Sequence, residues 1–166
     1  DINVAEDKVT FTITNTGKMD GEEIAQMYVS CKSDKIYRPK KELKGFKKVF
    51  LKAGESKQVE IPFDDKTFRY FNVKTNKFEI ETAEYVINIA SNVEDVRISA
   101  EISIKGTEAE NPYDKEKMPS YYNADIKNVD DKQFETLLGR KIPDGSWSGE
   151  LSMYDAFCQL YYAKRW

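Results

Sequence analysis

The chain has 166 residues, 40% hydrophobic and 33% charged, which is enough for one globular domain with a sizeable core and an appendage. Its 26 basic and 29 acidic side chains leave a net charge of -3 spread along the whole length, so no polarised tail or patch exists for nucleic acid. There is no histidine, which excludes Ser-His triads, the usual imidazole base and nearly every zinc site built on imidazole; no apolar run approaches the roughly 18 residues of a membrane span.

In chain order, Val9, Phe11 and Ile13 alternate with threonines and predict a half-buried strand over 9–13. Asn15-Thr16-Gly17 supplies a turn, and 24–31 is a second strand with Ala25, Met27 and Val29 on one face and Ile24, Gln26 and Tyr28 on the other. Pattern alone does not decide which of those faces is the core. Segments 43–51 and 58–63 flank Lys52-Ala53-Gly54-Glu55 and read as a hairpin, with Val59, Ile61 and Phe63 pointing inward. Further strands are expected at 68–71, 77–80, 84–90 and 96–104, the last with the cleanest period of two, Val96, Ile98, Ala100, Ile102 and Ile104. Short strands at this spacing, punctuated by Gly, Asn, Asp and Pro, imply an antiparallel β-sandwich, because each sheet must bury its apolar face against another.

After Gly106 the texture changes. Residues 107–123 carry Pro112 and Pro119, many Glu and Lys and few aliphatics, which marks a linker or extended arm interrupted by Tyr113, Tyr121 and Tyr122. Asp130 can cap a short helix holding Phe134, Leu137 and Leu138, with Gly139 as its C-terminal cap. Ser152-Met153-Tyr154-Asp155 resembles a capping box, and the spacing of Leu151, Tyr154, Phe157, Cys158, Leu160 and Tyr161 predicts a second helix over 153–163. The division expected is therefore a sandwich at 1–105, an arm at 106–129 and a helical extension at 130–166. Cys31 and Cys158 stand far apart in unlike regions and are expected as free thiols. Asp1-Ile2-Asn3 shows neither an initiating Met nor a signal peptide and reads as cut from a longer chain, so the parent's location is not read from it; free thiols and no signal peptide in this chain slightly favour the cytoplasm.

Paired carboxylates could suggest acid/base chemistry, as at Glu79/Glu81, Asp64/Asp65, Glu22/Glu23 and Asp130/Asp131. Adjacent strand residues face opposite ways, Glu79 and Glu81 would share a face in solvent, and no flanking sequence suggests the burial that raises a carboxyl pKa. They read as solvated surface groups, and neither catalytic residues nor cofactor or metal ligands are expected. The basic run around Arg38 holds Glu42 and an aromatic, and Leu43 and Phe46 within it read as core or interface anchors.

The order Asn15-Thr16-Gly17, Gly21-Glu22-Glu23, Tyr28-Val29, then Arg38-Pro39-Lys40-Lys41-Glu42-Leu43-Lys44-Gly45-Phe46-Lys47-Lys48-Val49 and Ala53-Gly54-Glu55-Ser56 resembles the fibronectin type III-like domain of glycoside hydrolase family 3 enzymes, the β-glucosidases and related exo-acting glycosidases. The resemblance covers about residues 6–104 and departs at Ala83-Glu84-Tyr85, where members usually have Gly-x-Tyr, and at Ala90-Ser91-Asn92. Pro119-Ser120-Tyr121-Tyr122 and the stretch from Phe134 through Arg140 to Pro143 look like the extension of members whose domains are circularly reordered. The resemblance implies a mainly β fold, an antiparallel immunoglobulin- or fibronectin III-like β-sandwich with a C-terminal extended arm and two short helices. It further implies a non-catalytic accessory domain whose partners are the catalytic domains of a parent glycosidase, or a second copy of this chain. The family's nucleophile and acid/base motifs have no counterpart here. Arg38, Leu43, Phe46, Phe134, Leu137, Leu138, Tyr154, Phe157 and Tyr161 are the candidate interface residues. The alternative is a carbohydrate-binding β-sandwich that stacks sugars on exposed aromatics, with Tyr70 and Trp147 as candidates.

Overall fold

The computed structural model describes residues 1–143. Nine strands and two short helices follow in the order β1 (Ile2–Val4), β2 (Lys8–Thr14), β3 (Gly21–Cys31), β4 (Glu42–Leu51), β5 (Ser56–Pro62), β6 (Arg69–Asn72), β7 (Lys77–Ile80), β8 (Ala83–Ala90), β9 (Val96–Ile104), α1 (Pro119–Tyr122) and α2 (Asp131–Leu138). One sheet has the order β1-β2-β5, the facing sheet β4-β3-β8-β9, and β6-β7 is a separate two-stranded hairpin; all pairings are antiparallel. This is the predicted β-sandwich.

Its core lies where period-two faces meet. Val9 and Phe11 of β2 and Val59 and Ile61 of β5 close on Ala25, Met27 and Val29 of β3 and on Tyr85, Ile87 and Ile89 of β8. Phe68 stacks edge-to-face on both Phe63 (5.7 Å) and Tyr85 (5.1 Å) at one end. The ambiguity of β3 is thereby resolved: Ala25, Met27 and Val29 point in.

The 43–51/58–63 hairpin does not form. β4 pairs with β3 and β5 with β2, so the Gly54 turn carries the chain from one sheet to the other. A tight turn with Gly54 at φ +75° looks the same in sequence whether the flanking strands pair or separate. Asn15 ties that crossing to the β2–β3 crossing: its N–H donates to the Glu55 carbonyl (2.9 Å), its carbonyl accepts from Gly54 (3.0 Å), and its amide nitrogen donates to the Met19 (2.8 Å) and Leu51 (3.2 Å) carbonyls. Asp64 and Asp65 stand at a 3-10 turn rather than in a strand, where Asp64 caps the Lys66 N–H at 2.9 Å.

The cleanest alternation in the sequence proves to be an edge strand. Every apolar residue of β9 is only half-buried, because the facing sheet ends in the three-residue β1. The prediction had no β1, whose three residues are too few to show a period.

Candidate domain interface

On β4, Gly45 opposes Met27 with its face turned inward; a Cβ there would lie 2.7 Å from Ile61 Cγ2 and 3.2 Å from Met27 Cε. The register then shifts, so that Phe46 opposes Gln26 while Leu43 opposes Tyr28. Lys44 is the extra residue of a β-bulge, and the bulge brings Leu43 and Phe46, three apart, onto one outer face. Phe50, opposite Glu22, and Ile24, opposite Lys48, lie on that same face. All four are uncovered: Leu43 is 52% exposed, Phe46 67%, Phe50 47% and Ile24 44%. Lysines rim the strip, among them Lys48 paired with Glu22 at 2.5 Å and Lys41 donating to the Val93 carbonyl at 2.7 Å. Across β8 and β9 the face turns polar, with Ser99 donating to Asn88 (2.8 Å) and Asn88 to Ser30 (3.3 Å).

A second cluster lies at the end of the sandwich where β3 stops and β8 starts. Arg38 and Glu81 form an ion pair in which each side chain is only 10% exposed. The Glu81 carboxylate also accepts from the Ser33 hydroxyl and, at 3.8 Å, from the Cys31 thiol. The guanidinium lies over the rings of Tyr70 (5.5 Å) and Tyr85 (5.8 Å). Burial pushes the Cys31 thiol up, with Arg38 pulling the other way, so at neutral pH it is protonated and poorly nucleophilic.

Tyr85, 1% exposed, donates its hydroxyl to the Glu81 carbonyl at 3.0 Å, and burial pushes its pKa up to about 12 against the pull of Arg38. The native state therefore holds this proton more tightly than the unfolded chain, where tyrosine titrates near 10. The resulting stability is complete below about pH 10 and is lost as pH rises through about 12. Tyr85→Phe is expected to flatten the alkaline limb of the pH–stability curve measured by urea unfolding. A limb identical to the parent's would rule this coupling out.

Residues 107–123 lie on the body and do not stand away from it. Thr107 donates to the Ile80 carbonyl (2.9 Å), Asn72 to that of Glu110 (2.9 Å), and both Asn111 (3.2 Å) and the Tyr122 hydroxyl (3.0 Å) to that of Lys35. Tyr37 stacks edge-to-face on Tyr121 and Tyr122, Lys115 pairs with Asp34, and Met118 is fully buried. In α2, Asp130 accepts from the Gln133 N–H (2.8 Å) and Gly139 ends the helix at φ +72°, as the sequence predicts.

The family model of the fibronectin type III-like domain matches residues 23–93. These residues form a fibronectin type III-like domain. It matches that domain of family 3 glycoside hydrolases, as the sequence resemblance indicated. An exo-α-(1->6)-L-arabinopyranosidase of Bifidobacterium breve is 41% identical over 98 residues, 59% of this chain and 13% of that protein. Thermostable β-glucosidase B of Acetivibrio thermocellus is 37% identical over 99 residues, 60% of this chain and 13% of that protein. Among solved structures, the GH3 β-glucosidase of Bifidobacterium adolescentis superposes with a TM-score of 0.61 at 36% identity, covering 69% of this chain and 18% of that one. The chain thus spans about an eighth of the length of these curated relatives.

Within the fibronectin type III-like domain, Leu43 and Phe46 are not core residues, because the bulge turns both outward. Arg38 is no surface anchor either, since Glu81 and two tyrosine rings enclose it. Glu81 itself overturns the reading of the acidic pairs as solvated: it sits just past the end of β7 and turns inward. Its partner lies 43 residues away, so no local signal reveals it. Ile24 and Phe50 were not among the predicted interface residues, although Phe46, Lys48 and Phe50 recur at period two. Phe134 is exposed, and Leu137 and Leu138 are half-buried. Tyr70 has one side taken by Arg38, and burial raises its phenol pKa; the uncovered aromatic pair nearby is Phe71 with Phe78, edge-to-face at 5.5 Å. Trp147, Tyr154, Phe157, Tyr161, Cys158 and the predicted helix over 153–163 lie outside the described residues. Among the described residues no group of three or more acidic, Cys or His side chains is placed to hold a metal.

Proposed function

We propose that this chain is the non-catalytic accessory part of a longer, β-glucosidase-like family 3 glycosidase, and that it packs against the catalytic domains through Ile24, Leu43, Phe46 and Phe50. The observation that carries this is the apolar strip itself. Four large side chains stay uncovered on one face while the same face turns polar at Ser30, Asn88 and Ser99, and a contiguous patch of this kind is characteristic of an interface. The one buried carboxylate of the acidic pairs, Glu81, is neutralised by Arg38 and supports a structural role. Carbohydrate binding through Tyr70 and Trp147 draws less support, because Arg38 already lies over the Tyr70 ring.

The test is to place Leu43→Ser with Phe46→Ser both in this chain and in the longer enzyme. In the isolated chain the pair is expected to leave the melting temperature nearly unchanged, since both side chains already face water. In the enzyme it should remove about 2 kcal/mol or more of interdomain stabilisation and lower the melting temperature of the sugar-cleaving unit. Equal effects in the two contexts would refute docking through this strip. A p-nitrophenyl glycoside assay of the isolated chain should show no turnover, and calorimetric binding of gluco- or xylo-oligosaccharides would instead support the sugar-binding alternative.

A further inference from the structure

The β6–β7 hairpin has one covered face and one bare one. Tyr70 and Asn72 turn toward the body: Asn72 is fully buried and donates to the Glu110 carbonyl at 2.9 Å, and the Tyr70 ring carries Arg38. Phe71 and Phe78, directly opposed across the two strands, lie on the other face. They meet edge-to-face at 5.5 Å yet remain 44% and 65% exposed. The turn that closes this hairpin is also where α2 ends. A Cβ at Gly139 would lie 2.7 Å from both Cβ and Cγ2 of Val73, the residue after Asn72, so the helix end is seated against that turn. Phe71 lies two residues, about 7 Å, along the strand from the contact.

We propose that the bare face of the hairpin is the seat of this chain's own C-terminal segment, which docks on Phe71 and Phe78 through Tyr154, Phe157 and Tyr161. α2 delivers the chain to the hairpin, and residues 144–166 follow. In that stretch Tyr154, Phe157 and Tyr161 recur at helical spacing with Asp155 and Gln159 among the residues between them. Residues 144–153, which precede them, reach about 33 Å when extended, ample for a seat that begins beside the end of α2. The size of the patch favours a tethered occupant. Two half-exposed rings offer roughly 200 Å², about a quarter of the surface that each partner buries when separate chains associate stably. A segment held by a short linker is present at an effective concentration of millimolar order and needs far less area. Aromatic side chains suit the seat, because their edges and faces pair favourably with the two rings already there.

The experiment measures amide hydrogen exchange and aromatic NMR resonances in the 166-residue chain and two variants, Phe71→Ser with Phe78→Ser and Tyr154→Ser with Phe157→Ser. In the parent, the amides of 154–161 are expected to exchange about tenfold or more slowly than in an unstructured chain. The hairpin variant should return them to the unstructured rate while β2, β3 and β8 keep their protection. The tail variant should shift the ring resonances of Phe71 and Phe78. Unprotected 154–161 amides in the parent, protection that survives the hairpin variant, or ring resonances unmoved by the tail variant would each overturn the proposal. So would protection that disappears on dilution together with the mass of a dimer, which would assign the rings to a second copy. If the hairpin variant loses protection throughout the sandwich, the ring resonances in the tail variant decide. Because neither Leu43 nor Phe46 is altered, the result is independent of docking through the β4 strip.

Discussion

Glu81→Ala is expected to destabilise the isolated chain by about 3 kcal/mol, because removing one partner of a buried pair strands the other charge. Arg38 would be left between the Tyr70 and Tyr85 rings with no carboxylate. Its Nε already has no hydrogen-bond partner among the described residues, so the guanidinium has little other compensation. The Ser33 hydroxyl would lose its acceptor as well, and the 33–38 loop would lose its anchor. The double replacement Arg38→Met with Glu81→Leu separates charge from packing: it should recover most of the loss, since an apolar pair needs no partner. Urea unfolding of the three variants measures this directly. If the single and double variants lose the same amount, the ion pair is not what holds this end of the sandwich.

Gly106→Ala is expected to cost about 3 kcal/mol, an overpacking effect at the upper end of the usual range because the obstruction is backbone. An added Cβ would overlap the Ile80 carbonyl oxygen and lie 2.5 Å from the Thr82 nitrogen. Neither is the end of a flexible side chain, so the chain itself must move. The movement would break the hydrogen bond from the Gly106 N–H to the Thr82 hydroxyl (2.8 Å) and that from the Thr107 N–H to the Ile80 carbonyl (2.9 Å), which start the arm along the body. Since Glu81 lies between those contacts, the variant should also disturb the Arg38 pair. A loss of less than about 0.5 kcal/mol in urea unfolding would show that this close approach relaxes freely.

The strands were legible because a half-buried strand writes its two faces into alternate residues, as at Val9, Phe11 and Ile13. Partnership was less legible. The Gly54 turn satisfies the same local rules in a hairpin and in a crossing between sheets, and only the pairing of β5 with β2 distinguishes them. Depth was also misleading, since the purest alternation, in β9, belongs to an edge that a three-residue strand half covers. Of the candidate site, the resemblance pointed to Leu43 and Phe46 through their motif. The bulge at Lys44 that turns both outward stands beside Gly45, which faces inward where a Cβ would crowd Ile61 and Met27, and no local pattern carries that arrangement. Arg38 and Glu81 were legible only as separate charges, because their meeting depends on where β3 ends and β8 begins.

The central place of β3 has a consequence during synthesis on the ribosome. β3 pairs with β4 on one side and with β8 on the other, joining Cys31 to Tyr85 and Gln26 to Ala90. At translation rates of about 5–20 residues per second, roughly three to thirteen seconds separate the emergence of the residues that pair across that ladder. Through this interval Met27 and Val29, deeply buried in the finished molecule, sit on a strand whose second edge has no partner. Folding is gated by a contact distant in sequence, and the nascent chain is most exposed to association with other nascent chains just before β8 emerges.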